Sequence, residues 1–322
     1  MTDPHGHRPV LVDEVLALLD PKAGETLLDC TAGRGGHAEA LGLRMGTGRI
    51  ILFDLDPQNM THARERLAHS CPTMEVLSQH GSFADAPAFL VERGIAADLV
   101  LADLGFSSSQ MDDPTRGFSF REEGPLDMRL NPLQTTTAAD IIARSSEAEL
   151  ADMIFHLGED PYARRIARKL AHARKERPID TTAALAQLVR EAYGPRARAS
   201  RMDPATRTFM ALRIAVNNEL GALESLLASI DREADQAMGG SRGWLKRGAR
   251  IGIISFHSLE DRMVKRGFAS LIRRGVAEGL TKKPVIAGDD EINSNPRARS
   301  AKLRVIRLAQ GLPRPHAHDG MD

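Results

Sequence analysis

The chain has 322 residues and a formal net charge of zero, and it is 42% hydrophobic and 27% charged. These values are typical of globular proteins, and no apolar run in the sequence is long enough to cross a bilayer. The N-terminus lacks a basic region followed by an apolar one, so we expect a cytoplasmic protein without a secretion signal. Two cysteines, Cys30 and Cys71, exclude a disulfide framework and a CxxC metal pair. We expect the tails, with their HxH pairs, to be disordered and not to hold a metal; the histidines are His5, His7, His316 and His318.

The zero net charge conceals two strongly basic segments. Residues 161–213 contain 13 Lys or Arg and four acidic residues, and residues 262–307 contain 12 and four. The rest of the chain is therefore acidic. Charge segregated in this way favours a polyanionic partner, although basic helix faces that are merely solvated remain the alternative.

Short apolar runs alternate with helical patterns in the first hundred residues. The patterns predict strands at 26–30, 49–55, 74–78 and 98–104, with helices at 36–44, 57–69 and 84–93. Strands alternating with helices of this length predict a parallel sheet covered on both faces. Ligands of such sheets bind beyond the carboxyl ends of the strands, which is where Asp29, Asp54 and Asp103 fall.

The pattern changes after Leu104. Residues 105–135 are rich in Gly, Ser, Asp and Pro and predict a long loop of the kind that is more often functional than structural. Four helical patterns follow, and then one amphipathic helix is predicted over 205–230. Strand signals resume at 249–256 and 302–309, with a helix from about residue 259 between them. We therefore predict an α/β domain (1–107 and 205–322) interrupted by a helical insertion domain (108–204).

The stretch "LLDCTAGRGGHAEAL" (27–41) raises the question of which ligand its glycine-rich turn accepts. The spacing Gly33-x-Gly35-x-x-Ala38 fits a dinucleotide fingerprint, and Asp54 follows Gly33 by 21 residues, the distance expected of a ribose-binding acid. A nicotinamide cofactor and S-adenosylmethionine would both suit such a turn. Asp29, just before the turn, favours a cationic ligand and therefore S-adenosylmethionine. The acid at the end of the fourth strand, within "LADLGFSSSQMDD", favours it too.

The chain resembles the bacterial 16S ribosomal RNA cytosine-N4 methyltransferase family, known as RsmH or MraW. The resemblance covers nearly the whole chain in order, and its 103–129 stretch is highly specific to that family. It is carried by "HRPVLVDEVL", "DCTAGRGGHAEAL", "DLDP", "HGSF", "ADLGFSSSQMDDPTRGFSFREEGPLDMR", "GEDPYARRIARKL", "ATRTFMALRIAVNNEL", "ISFHSLEDRMVK" and "NPRARSAKLRV".

The resemblance implies a class I S-adenosylmethionine-dependent methyltransferase fold, which is Rossmann-like with a mostly parallel sheet and an all-helical insertion. It also implies methylation of the exocyclic N4 amine of a cytidine in the decoding region of 16S ribosomal RNA, within the small ribosomal subunit. Neither a metal, a membrane nor an obligate protein partner is implied. Carried over by position, the cofactor-binding residues are Gly35, Gly36, His37, Asp54, Phe83, Asp103 and Gln110, and Asp103 is also the catalytic candidate.

Several of these residues also have a purely structural interpretation. Phe83 suits a hydrophobic core, His37 an exposed first helical turn, and Gln110 an ordinary polar loop. His257, at the end of a predicted strand, is explained as well by packing as by chemistry.

The chemistry itself leaves questions open. Many amine methyltransferases carry an Asp/Asn/Ser-Pro-Pro-aromatic motif, whereas this chain has Asp103-Leu-Gly-Phe106. We expect Asp103 and nearby backbone carbonyls to accept the hydrogens of the amine. Two alternatives remain beside the methyltransferase: an assembly factor without turnover and a nicotinamide-dependent oxidoreductase.

Overall fold

The computed structural model describes residues 9–199, 202–239 and 243–310, so the four tail histidines lie outside the described residues. The chain divides into two compact units. Of the described residues, the sheet unit comprises 9–105 and 221–310, and the helical unit comprises Phe106–Leu220. The limits 108 and 204 of the insertion domain stay a prediction.

Strands of the described residues form one sheet within the sheet unit. They are β1 (Thr26–Asp29), β2 (Gly48–Asp54), β3 (Met74–His80), β4 (Ala97–Asp103), β5 (Leu245–Ser255), β6 (Ala277–Gly279) and β7 (Lys302–Leu308). Their order across the sheet is β3-β2-β1-β4-β5-β7-β6. The pairs from β3 to β5 are parallel, and β7 is antiparallel to both of its neighbours. The predicted α/β fold with a mostly parallel sheet is confirmed.

One helix precedes β1, further helices connect the strands of the sheet unit, and helices also form most of the regular structure of the helical unit. They are α1 (Val12–Leu19), α2 (Gly36–Met45), α3 (Pro57–Ser70), α4 (Ala86–Glu92), α5 (Ser108–Asp112), α6 (Ala138–Arg144), α7 (Glu147–Gly158), α8 (Ala163–Ala173), α9 (Thr182–Tyr193), α10 (Ala205–Asn217), α11 (Glu219–Gly239), α12 (Ser258–Arg273) and α13 (Asp289–Ser294). None of these described helices combines the length and the apolar character needed to span a bilayer.

The central strand β1 shows why this sheet must be covered on both faces. Leu27 and Leu28 are both completely buried, yet they belong to two different apolar clusters. Successive side chains of a strand point to opposite faces, so the two leucines define the two sides of the sheet. Full burial of a leucine contributes about 1.5–3 kcal/mol relative to exposure. The continuous apolar runs of the sequence thus reflect a doubly covered parallel sheet.

The prediction of one helix over 205–230 is wrong, because the structure has two helices there. The first, α10, ends at Asn217, and Asn218 then takes a left-handed conformation with φ 50° before α11 begins. The side chain of Asn217 forms hydrogen bonds with the 105–135 loop. Its Nδ2 donates to the carbonyl of Met128, and its Oδ1 accepts from the backbone N–H of Leu130. An apolar spacing that continues across the break could not reveal this.

The long loop predicted at 105–135 is held by hydrogen bonds inside the helical unit. The guanidinium of Arg116 donates to the carbonyls of Arg129 and Leu130 at 2.9 and 3.0 Å. Gly117 has φ 70°, and a Cβ there would lie 2.2 Å from the carbonyl oxygen of Pro125. Only glycine allows that approach of two backbone segments. The loop is therefore an ordered element despite its polar composition.

Candidate active site at the carboxyl edge of the sheet

Three acidic residues end three neighbouring strands at the same edge of the sheet. Asp54 ends β2, Asp29 ends β1 and Asp103 ends β4, and these strands are adjacent in the order β2-β1-β4. Parallel strands place their carboxyl ends at one edge, where ligands of such sheets bind. The predicted placement of these acids is confirmed.

The glycine-rich turn after β1 is tied to the strands on both sides. On one side, the backbone N–H of Gly33 donates to Oδ2 of Asp54 at 2.7 Å. On the other side, Oγ1 of Thr31 accepts the backbone N–H of Asp103 at 2.6 Å. The turn is therefore fixed before any ligand arrives, which lowers the entropic cost of binding.

Glycines 35 and 36 are required at the start of α2 by close packing. Gly35 has φ 81°, and a Cβ there would lie 3.0 Å from Cα of Ala63. A Cβ on Gly36 would lie 2.9 Å from Cγ of Pro9. Gly35 is also the N-cap residue of α2 and offers no side-chain acceptor to its first N–H groups. Such free donors suit a carboxylate or another anionic group of a ligand.

Burial raises the pKa of each of the three acids. The pKa of Asp29 rises to about 7, that of Asp54 to about 6 and that of Asp103 to about 7, and in each case the largest cause is the removal of the carboxylate from water. Within the described part of the chain, no Lys or Arg forms an ion pair with any of them. A site that buries acids without a matching cation favours a ligand that brings positive charge.

Asp103 has the least satisfied side chain of the three. Its Oδ1 is buried and has no hydrogen-bond partner among the described residues. A buried acceptor left unpaired costs about 1–3 kcal/mol, so it marks a position where a ligand hydrogen is missing. A nearby acid, Glu260 in the first turn of α12, contributes to the raised pKa of Asp103.

His37 is buried and does not have the exposed position that its place in a first helical turn suggested. Its Nε2 lies 2.8 Å from the carbonyl oxygen of Val10, and its Nδ1 lies 3.6 Å from Oδ2 of Asp103. Burial lowers the pKa of the imidazole, so the ring is neutral. The structure thus joins two of the predicted residues, His37 and Asp103, at one place.

The two remaining predicted residues lie in different units. Phe83 follows β3, is partly buried and packs against the apolar cluster on one face of the sheet. Gln110 belongs to α5 of the helical unit, where its Oε1 accepts the backbone N–H of Ser107 at 2.9 Å. Cofactor contact by either residue stays a prediction.

Two residues near the acids were missed by sequence reasoning, and His257 stays open. Thr31, which fixes Asp103, stood in the quoted turn, and its hydroxyl directly after a strand was the available signal. Glu260 accepts the N–H groups of Phe256 and His257, a first-turn acid acting as in a capping box. Nε2 of His257 lies 3.1 Å from Oε1 of Glu260. Neither ring nitrogen of this half-buried histidine has a hydrogen-bond partner among the described residues, so packing and chemistry both stay open for it.

The polar groups at this edge of the sheet fit S-adenosylmethionine. Its sulfonium and ammonium groups supply the positive charge that the three acids lack, and its ribose hydroxyls match the remaining acceptor capacity of Asp54. The unpaired Oδ1 of Asp103 is consistent with a ligand that donates a hydrogen at this edge.

Comparisons with known proteins agree with this fit. Residues 4–309 match the model of the MraW methylase family. A protein of Sorangium cellulosum named "Ribosomal RNA small subunit methyltransferase H" is 45% identical over 306 residues, which is 95% of this chain and 91% of that protein. Proteins of the same name from two Synechococcus strains are 45% identical (strain CC9902; 96% of this chain, 99% of that protein) and 47% identical (strain JA-2-3B'a(2-13); 93% and 91%).

The match to the family model spans nearly the whole chain, and the relatives are similar over almost their full length. The sheet order and the edge of buried acids are those of the fold that the resemblance implied. The chain therefore belongs to the MraW methylase family, and S-adenosylmethionine is its cofactor.

Proposed function

We propose that the chain methylates the exocyclic N4 amine of a cytidine in the decoding region of 16S ribosomal RNA. The family membership and the names of the relatives support a ribosomal RNA substrate. The single observation that carries the chemistry is the buried, unpaired Oδ1 of Asp103 at the end of β4. An amine hydrogen is the kind of donor that this atom lacks.

The proposed roles of the residues follow from their positions. Gly35, Gly36 and His37 hold the amino-acid end of S-adenosylmethionine through the open start of α2, and Asp54 accepts its ribose hydroxyls. Phe83 and Gln110 complete the set of cofactor contacts. When bound, S-adenosylmethionine supplies an activated methyl group. No metal ion is required for this transfer.

Asp103 compensates for the weak nucleophilicity of the amine, whose lone pair is delocalised into the ring. A carboxylate that accepts an amine hydrogen orients the nitrogen and stabilises the positive charge that develops on it. Orientation of this kind can lower a barrier by up to about 7–11 kcal/mol. The backbone around Leu104 and Gly105 offers the further acceptors that the absent Pro-Pro motif would otherwise position.

RNA binding is assigned to the basic segments. In α8, the exposed Arg164, Arg165 and Arg168 lie opposite the buried Ile166 and Leu170, so the cations face solvent. Phosphate contacts of this kind position an RNA without reading its sequence. The target base must also leave its stack, at a cost of a few kcal/mol. A cytoplasmic location is part of this proposal.

The decisive experiment is methylation of small ribosomal subunits that lack the modification. The subunits and, separately, naked 16S RNA are incubated with the chain and S-adenosylmethionine labelled in its methyl group, and the labelled nucleotide is mapped. We expect one labelled cytidine, with the methyl on N4. Label on another atom or another RNA would overturn the assignment. Binding to the subunit without label would favour the assembly factor, and family membership leaves no support for the oxidoreductase.

A further inference from the structure

The hydrogen bond of His37 to Val10 defines which ring nitrogen is available. Nε2 lies 2.8 Å from the backbone carbonyl of Val10. A carbonyl oxygen only accepts, so Nε2 must carry a hydrogen and donate it. In the neutral ring, Nδ1 then carries a lone pair and no hydrogen.

This lone pair faces the carboxyl group of Asp103. Nδ1 lies 3.6 Å from Oδ2, which is longer than a hydrogen bond, and the other oxygen, Oδ1, is buried without a partner. Two acceptors that face each other repel unless a proton lies between them. One proton turns the pair into an O–H···N or O⁻···H–N⁺ hydrogen bond, and such contacts often shorten only when a catalytic complex forms.

Among the residues that the structure describes, the charged groups that act on the pair are acidic. Asp29 at the end of β1 and Glu291 in α13 act on His37, while Glu260 in α12 acts on Asp103. Asp54 adds to the negative field at Asp29. This field favours an extra proton, whereas burial disfavours charge on the imidazole and on the carboxylate alike. Burial thus raises the pKa of the Asp103 carboxyl and lowers the pKa of the His37 imidazole, so each group is shifted toward its neutral form.

We propose that His37 and Asp103 form a couple that shares one proton, in which Nδ1 of His37 takes over the proton that Asp103 receives from the substrate amine. This inference rests on the proposed function. His37 acts here as a positioning residue whose side chain sets the proton affinity of Asp103.

The step balances in atoms and charge. The amine nitrogen uses its lone pair to form the bond to the methyl carbon, and the electrons of the broken carbon–sulfur bond return to sulfur. The nitrogen then releases one proton to the carboxylate of Asp103, which passes it to Nδ1 of His37. The positive charge lost at sulfur reappears on the imidazole, so the total charge of the buried site is unchanged.

The variant His37→Gln separates this role from simple anchoring. The amide nitrogen of glutamine can still donate to the carbonyl of Val10, but the lone pair of Nδ1 is gone. If His37 only anchors the start of α2, His37→Gln keeps that function. If His37 holds the proton, the variant lowers the proton affinity of Asp103.

The first test uses the free protein, without RNA or cofactor. The side-chain carboxyl of Asp103 is followed by carbon-13 NMR across pH in the wild type and in His37→Gln, with Asp103→Asn to assign the signal. We expect the titration midpoint to fall by about one pH unit or more in His37→Gln, because the acceptor of the protonated form is lost. An unchanged midpoint in a folded variant would overturn the couple.

The second test measures single-turnover methyl transfer to 16S RNA against pH at saturating cofactor. In the wild type the rate should rise with pH and level off near the midpoint of the couple. In His37→Gln, the increase of the transfer rate with pH should occur at lower pH. The maximal transfer rate should be about tenfold lower, because Asp103 is a weaker base. In the Asp103→Asn background, His37→Gln should have no further effect. An additive loss there, or an increase of the rate at an unchanged pH, would overturn the proposal. Absence of transfer in the wild type would count against the proposed function alone, since the NMR titration still decides the couple.

Discussion

The backbone N–H of Gly33 donates to Oδ2 of Asp54 at 2.7 Å, joining the glycine-rich turn to the end of the neighbouring strand. The two residues are 21 positions apart in the chain. Oδ1 of Asp54 also accepts the N–H of Asp56 at 2.8 Å, so the carboxylate fixes two loops of the cofactor edge at once. Removal of this side chain should therefore damage binding in two ways: by loss of ribose acceptors and by loss of the fixed turn.

We expect Asp54→Ala to weaken S-adenosylmethionine binding by about tenfold or more, since hydrogen bonds to a charged group contribute about 1.5–3 kcal/mol each. Isothermal titration calorimetry measures this loss. Asp85→Ala, which removes an exposed acid just after β3, is the matched control and should bind normally. Unchanged affinity in folded Asp54→Ala would remove Asp54 from the cofactor site.

Neutralising the exposed face of α8 should weaken RNA binding and leave cofactor binding intact. We test the triple variant with Gln at 164, 165 and 168. The negative slope of log affinity against log salt should become less steep by about 0.7–0.9 per lost phosphate contact. The control is the triple Gln variant of Arg44, Arg64 and Arg93, which are exposed cations of the sheet unit. An equal change of slope in both variants would indicate non-specific attraction, and no change in either would return α8 to a solvated surface.

Asp103→Asn tests chemistry separately from binding. The substitution keeps the shape and one acceptor oxygen but removes the charge that favours the developing cation. Single-turnover transfer at saturating cofactor and RNA should fall about a hundredfold or more, a barrier change of about 2.7 kcal/mol. Cofactor affinity should change by less than about tenfold. If transfer at saturation stays near the wild-type rate while affinity drops, Asp103 is a cofactor ligand only.

The buried carboxyl of Asp29 should make the free protein less stable as the pH rises. Its pKa is about 7 in the folded chain, against about 3.9 in an unfolded one, so the unfolded state loses its proton first. The contribution of Asp29 to the free energy of unfolding is therefore greatest below about pH 4, and it decreases progressively up to about pH 7. Asp29→Asn removes this loss and keeps an oxygen that can accept the N–H of Thr31.

Thermal unfolding without cofactor checks this expectation. The difference in Tm between Asp29→Asn and the wild type should increase from pH 5.5 to pH 8. At the higher pH, the free energy of unfolding of the variant should exceed that of the wild type by more than about 1 kcal/mol. Asp85→Asn, at an exposed position, should show a flat difference. A flat difference for Asp29→Asn as well would mean that the Asp29 carboxyl is ionised in the free protein.

The sequence by itself determined most strands and helices of the sheet unit, the sheet type and the edge at which the acids lie. Strand and helix periods are local properties, and the alternation of β and α elements forces a parallel sheet whose carboxyl ends coincide. Asp29, Asp54 and Asp103 could therefore be brought together without coordinates. The glycine turn was visible for the same reason, because close backbone approach demands residues without a Cβ.

Tertiary structure alone decided the contacts between distant segments. Next to the break at Asn218, the side chain of Asn217 forms hydrogen bonds with a loop almost ninety positions away, while the apolar period continues unchanged. The sequence left an exposed position for His37 open, because nothing local shows that its ring contacts Val10 and lies near Asp103. The proton affinities of the three acids likewise follow from burial by the whole fold. Burial and hydrogen-bond partners are sums over residues far apart in the chain, and no local pattern of residues encodes them.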